Sequence, residues 1–163
     1  MNKEAQRQQV IQALVAQQRH IATVAKQEMD SAQQQSNDYG ANVDRYDSYR
    51  TKMMRQRDMY ARQLSNANAS LRILGDLLRQ APMTRAEHGA IVVTNRQRFF
   101  LSIGAGKFQV PFQQGPAATS AGPTPETYFA ISAGVPVFMA MKGLREGESF
   151  TFNGVTQTIL EIF

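Results

Sequence analysis

Apolar residues recur in the first part of the chain at steps of three and four. Val10, Leu14, Ile21 and Val24 make one stripe, and Ile11, Ala25, Met29 and Ala32 widen it. That spacing, in a stretch free of Pro and Gly and rich in Gln, Ala, Lys, Arg and Glu, predicts an amphipathic helix over residues 3–35. A second pattern follows. Tyr46, Met53, Tyr60, Ala67 and Leu74 step by seven, with Leu64, Leu71 and Leu78 between them, which is the seam of a coiled coil. Between the two lies Ser36 to Arg50, where Gly40 and Asn42 interrupt the periodicity. Residues 1–80 therefore read as an antiparallel coiled-coil helical hairpin with its tip near 37–47. Two helices of roughly 33 residues each would extend roughly 50 Å at 1.5 Å rise per residue.

The period then changes. Ala81-Pro82 ends the second helix, because proline removes an amide donor and restricts the residue before it. Residues 90–94, 98–103 and 107–112 are short β-type runs. Residues 113–125 form a Gly/Pro/Ala/Ser/Thr loop, expected to be mobile. A strand follows at 127–132 and one short helix at 136–141. Strands at 149–152 and 155–163 are joined by Asn153-Gly154, a type I′ turn signal. The fold class is α+β: a helical hairpin over 1–80, then a small β-rich globular domain with one helix over 81–163.

Composition narrows the chemistry. There is no cysteine, so thiolate metal sites, disulfides and a cysteine nucleophile are excluded. No apolar run suits a membrane span, and the first ten residues lack an apolar signal core, so a soluble, cytoplasmic protein is expected. The net charge of +5 is uneven: residues 1–80 hold 12 Lys/Arg against 8 Asp/Glu, residues 81–163 hold 6 against 5. A basic hairpin suits a polyanionic neighbour such as nucleic acid or an acidic protein channel. It equally suits a solvated helix surface.

Asp44 and Asp47 are the candidate chemical groups. On a helix, residues three apart differ by ~60° in direction, so both carboxylates face one way, opposite the seam. Two hard oxygen donors at an exposed tip can share a divalent cation such as Mg²⁺, once a partner completes its shell. The same spacing also makes Asp44 an N-cap with Asp47 in the first turn. Arg45 and Lys52 share one edge of the second helix, Arg55 and Arg62 another, and Arg50 and Arg57 flank the seam. These read as guidance into a negatively charged passage or as coiled-coil edge charges. Tyr39, Tyr46 and Tyr49 crowd the tip, to pack on a partner or to close the hairpin end. His20 and His88 have no ligand-spaced partner. Gly104-Ala105-Gly106-Lys107 lacks phosphate-loop spacing and reads as a turn. A self-contained enzyme is not expected.

The order of parts resembles the bacterial Gre-type transcript cleavage factors. The likeness is most specific at Ile131-Ser132 through Pro136 to Met141-Lys142-Gly143, then Arg145-Glu146-Gly147-Glu148. That segment is similar to the family's I-S strand, its proline-led short helix and its acidic-glycine turn. The strand ending Ile159-Leu160-Glu161-Ile162 also fits. Asp44-Arg45-Tyr46-Asp47 falls where the family carries D-x-x-E. The resemblance implies an FKBP-like globular domain that binds RNA polymerase, here through Ser132 and Pro136. It implies a hairpin in the secondary channel contacting polymerase and, indirectly, nascent RNA, with Arg45, Tyr46, Tyr49, Arg50 and Lys52 at the interface. Asp44 and Asp47 would help hold a second Mg²⁺, so that the polymerase itself cleaves backtracked RNA. The protein would be a monomeric accessory factor. Here Asp47 replaces glutamate and Arg50 lies close by in sequence, so a polymerase-binding regulator without cleavage activity is the alternative. A structural coiled coil that dimerises through Leu64, Leu71 and Leu78 is another.

Overall fold

The computed structural model of the chain describes residues 2–38, 47–112 and 124–163, with the side chain of Asp47 outside that description. The fold is α+β: two long helices, then a six-stranded mixed sheet with one short helix. The order is α1 (Lys3–Asp38), α2 (Asp47–Leu78), β1 (Ile91–Thr94), β2 (Arg98–Leu101), β3 (Gly106–Pro111), β4 (Pro125–Ile131), α3 (Pro136–Met141), β5 (Ser149–Phe152) and β6 (Val155–Ile162). Two compact units result. One joins Met1–Leu14 to Ile73–Phe163, and the other is Val15–Arg72. The division thus falls within both helices, since the base of each folds with the sheet.

Helix α1 reaches further than the expected 3–35: residues 36–38 are helical and Ser36 is buried, while α2 is described from Asp47 onward. The apolar stripe of α1 also needs correction. Val10, Ile11, Leu14, Ala25 and Ala32 are buried, but Ile21 and Val24 are 37% and 40% exposed, while Gln18 and Ser36 are buried. Buried positions Ile11, Gln18, Ala25 and Ala32 step by seven, and Val24 lies roughly 100° round the helix from Ala25. In α2 the expected seam holds at Met53, Ala67 and Leu74, which are buried, with Tyr60, Leu64, Leu71 and Leu78 half-buried between them. Small side chains at Ala25, Ala32, Ser36 and Ala67 make up much of this buried line, so burial there does not follow apolar bulk.

Cross-helix bonds are consistent with that register. In the Val15–Arg72 unit, Arg57 Nη1 donates to Gln33 Oε1 at 2.7 Å and the Tyr49 hydroxyl to Gln35 Oε1 at 3.4 Å. In the other unit, Arg7 Nη1 donates to the carbonyls of Leu77 and Gln80 at 2.8 and 2.9 Å. Within the Val15–Arg72 unit, partners descend along α2, Arg57 then Tyr49, as they ascend along α1, Gln33 then Gln35. The helix α2 ends at Leu78, ahead of Ala81-Pro82. Its last turn has no basic residue, and Arg7 of α1 supplies the cation for its carbonyl end.

The sheet runs β3-β4-β2-β1-β6-β5. β2 and β4 are parallel, registering Phe99 with Phe129 and Leu101 with Ile131, and the other pairs are antiparallel. Asn153 and Gly154 both have positive φ, 51° and 74°, as the expected β5–β6 turn requires. Between Val93↔Glu161 and Thr94↔Ile159 the register shifts by a bulge, and Leu160 is left 54% exposed. One sheet face packs Val92, Phe99, Leu101, Phe150 and Ile159 against Val137, Phe138 and Met141 of α3. The other buries Phe100, Phe108, Val110 and Tyr128, with the Phe108 and Tyr128 rings 5.9 Å apart. Burial on both faces explains why β1 and β2 are apolar at nearly every position. Residues 113–123 of the expected loop lie outside the described residues.

Candidate functional site

Of the acidic pair, Asp44 lies outside the described residues, as do Arg45 and Tyr46. Asp47 is the first residue of α2, and its side chain is outside them too. The capping and metal-sharing readings of the pair therefore both fall on undescribed atoms. What is described is the helix that carries them onward. Asp47 opens a 32-residue helix without proline whose only glycine is Gly75.

Along the first turns of α2 the charges are one-sided. Arg50, Lys52, Arg55, Arg57 and Arg62 face a single acidic residue between positions 48 and 75, Asp58. Arg57 takes that carboxylate, Nη2 to Oδ1 at 2.8 Å, while its Nη1 reaches Gln33. Arg62 Nε donates to the Asp58 carbonyl at 3.4 Å. Arg50 and Lys52 are exposed, and among the described residues neither has a carboxylate partner. Arg55 is exposed on the same terms. Tyr49 is half-buried, with its hydroxyl on Gln35, so it ties α1 to α2 and only part of its ring is presented outward.

Ser48, Thr51, Lys52, Arg55, Gln56 and Met59 line a hollow of about 610 Å³ along α2. The sequence reading put Lys52 and Arg55 on separate edges. The structure sets both on this one surface, beside a Met59 side chain that is 42% exposed. The spacing 48, 52, 55, 59 is itself a helical face, so the signal was present in the residue numbers. The apolar seam, at seven-residue steps, is the stronger periodic signal in the same stretch. Chemically, the face offers two unpaired cations, two hydroxyls, an amide and a polarisable thioether, a set suited to anionic or acidic groups.

The other pair of expected binding residues sits in the sheet-bearing unit. Ser132 follows β4, and its carbonyl accepts from Val135 N at 3.1 Å. Pro136 opens α3, where its lost amide costs nothing and its fixed φ suits a first helical turn. The two residues are thus brought to one tight corner, Ser132 half-buried and Pro136 exposed. Beyond it Val137, Phe138 and Met141 face the core and Met139 is 66% exposed.

Two features of this unit went unseen in the sequence. Arg7 is 2% exposed and bonded to carbonyls alone, so burial lowers the pKa of its guanidinium. The Tyr128 hydroxyl donates to Glu126 Oε2 at 3.2 Å and lies beside Gln6. Burial first, and then the Glu126 charge, push its pKa well up. Arg98 completes the cluster, its guanidinium 5.9 Å over the Tyr128 ring and 3.4 Å from Glu126.

Among the described residues, no three His, Asp or Glu side chains are grouped to hold a metal ion, and no helix is long and apolar enough to cross a membrane. Comparison with known proteins adds no relative: no family description, curated protein or solved structure matches this chain.

Proposed function

We propose that the protein is an RNA polymerase-binding accessory factor of Gre type. Its two long helices form an antiparallel coiled-coil hairpin that enters the polymerase secondary channel, and its sheet is an FKBP-like docking domain. The chain itself is not the enzyme: Asp44 and Asp47 would lend carboxylates to a second Mg²⁺ at the polymerase's own site, where backtracked RNA is cut.

The observation that carries this reading is the opposed order of partners along α1 and α2 within the Val15–Arg72 unit, Gln33 with Arg57 and Gln35 with Tyr49. Helices paired so return the chain on itself. In sequence, Asp44 falls between the two helices and Asp47 opens the second. Support comes also from the two exposed cations, Lys52 and Arg55, that lie within three turns of Asp47 without a described carboxylate partner. A basic flank behind an acidic tip suits a passage toward RNA and metal.

The test is a cleavage assay on a stalled, backtracked elongation complex with Mg²⁺. The full chain is expected to shorten the transcript. Asp44→Ala/Asp47→Ala should abolish that while polymerase binding persists. Cleavage left unchanged by the double substitution would remove the mechanism. Arg50 stands one helical turn from Asp47, a spacing at which an ion pair forms readily. That favours a second reading, a channel-bound regulator without cleavage, and binding without cleavage at any Mg²⁺ concentration selects it. A stable dimer of the full chain through Leu64, Leu71 and Leu78 would overturn both.

A further inference from the structure

A second surface, independent of the polymerase reading, lies in the sheet-bearing unit. Lys3, Pro82, Met83, Thr84, Arg145, Glu146 and Ile162 line a crevice of about 430 Å³. Its apolar part is Met83, packed against the core, with Pro82 and the buried Ile162. Its charges are unequally satisfied. Glu146 Oε1 accepts from Lys3 Nζ at 2.5 Å and from Ile162 N at 2.8 Å. These two bonds, Lys3 first, hold its pKa below the ordinary carboxylate value. Glu148 Oε2 accepts from the backbone N of Arg145 at 2.7 Å. Of the two carboxylates that follow Arg145 in sequence, one is thus bonded by Lys3 and the Ile162 amide and the other by the backbone amide of Arg145 itself. The exposed Arg145 guanidinium has no carboxylate partner among the described residues.

The turn that presents it is well held. Glu148 N returns to the Arg145 carbonyl at 3.1 Å, and Gly147 N reaches the Ile159 carbonyl at 2.8 Å. Gly147 sits at φ +87°, which favours glycine there. On the other side of Arg145, Leu144 N bonds the Met141 carbonyl and Ala86 N bonds the Leu144 carbonyl. An arginine on a fixed backbone, beside a partly apolar crevice, presents a planar fork for a carboxylate.

We propose that this crevice receives an acidic, apolar segment of a partner protein, an aliphatic side chain resting on Met83 and Pro82 and its neighbouring carboxylate on Arg145. Charge complementarity selects that occupant. Among the charged side chains that line the crevice, Lys3 and Glu146 offset one another and Arg145 is left, with Glu148 outside the lining. Thr84 adds a hydroxyl at the rim for a backbone carbonyl of the segment.

The test is a titration of the ¹⁵N-labelled full chain, followed by amide shifts, with a capped tetrapeptide of alternating leucine and glutamate. Saturable shifts at Met83, Thr84 and Arg145 at millimolar peptide are expected. Arg145→Glu should weaken binding by roughly tenfold or more, and so should replacing the peptide's glutamates by glutamine. A glycine–glutamate peptide should bind more weakly as well, for want of the aliphatic contact. Because Arg145 is exposed, the variant's otherwise unchanged spectrum will show that it is folded. No saturable shift at these residues, shifts confined to the basic face of α2, or affinity indifferent to Arg145→Glu would each overturn the proposal.

Discussion

Arg7 and Gly89 are 82 residues apart in sequence, and Arg7 Nη2 donates to the Gly89 carbonyl at 3.0 Å. The same guanidinium closes the carbonyl end of α2 through Leu77 and Gln80, so one side chain joins α1, α2 and the approach to β1. It is a buried cation with no carboxylate, held by carbonyl dipoles and the negative end of α2.

Replacing Arg7 should therefore cost more than an ordinary helix substitution. Arg7→Met keeps the stem but leaves buried carbonyls without their donor, and relief of guanidinium desolvation offsets only part of that loss. Destabilisation of roughly 3 kcal/mol is expected in urea unfolding. Arg7→Lys should recover little, because one ammonium cannot reproduce the fork across three acceptors.

Two glycines should respond in opposite senses. Gly89 has φ +98°, and a Cβ there would lie 3.0 Å from Leu77 Cδ2 and 3.1 Å from Gln80 Oε1. Gly89→Ala should lose roughly 1–3 kcal/mol through backbone strain and that crowding. Gly75, inside α2, would place a Cβ with nothing within 4 Å. Gly75→Ala should gain roughly 0.5–1 kcal/mol. Thermal midpoints of the two variants should fall on either side of the parent.

Stability should depend on pH at both extremes. The Tyr128 hydroxyl has its folded pKa raised above the ordinary value of 10.0, so its contribution is complete below that pH and is lost as pH rises beyond it. Tyr128→Phe should flatten the alkaline limb. Glu146 has its folded pKa lowered from 4.5, so its contribution is present above that value and is lost as pH falls through the folded pKa. Lys3→Met should reduce the acid-side slope. Denaturant midpoints measured across pH will check both signs.

Charge reversal on α2 should affect association and leave folding alone. Lys52 and Arg55 are exposed and have no carboxylate partner among the described residues. Lys52→Glu/Arg55→Glu should leave the thermal midpoint near the parent value. It should slow binding to an anionic partner, the proposed polymerase channel included, most strongly at low salt, where the Debye length is ~30 Å at 0.01 M. Stopped-flow association rates against ionic strength will read this out.

Local chemistry determined much of the fold in advance. Proline at 82 and 136, Asn153-Gly154 and the short β-branched and aromatic runs each restrict the backbone by themselves. The strands and α3 accordingly lie within a residue or two of where the pattern puts them. The α2 seam was legible for the same reason, since large apolar residues at seven-residue steps leave one way to bury them. Other features depended on distant partners. That Gln18 is buried and Ile21 exposed goes with a buried line of alanine and serine, which carry little hydropathy signal. The parallel pairing of β2 with β4, the carbonyl cradle of Arg7 and the engagement of Glu146 by Lys3, which leaves Arg145 unpaired, join residues far apart in the chain. Their energies arise only when those segments meet, so no window of sequence contains them.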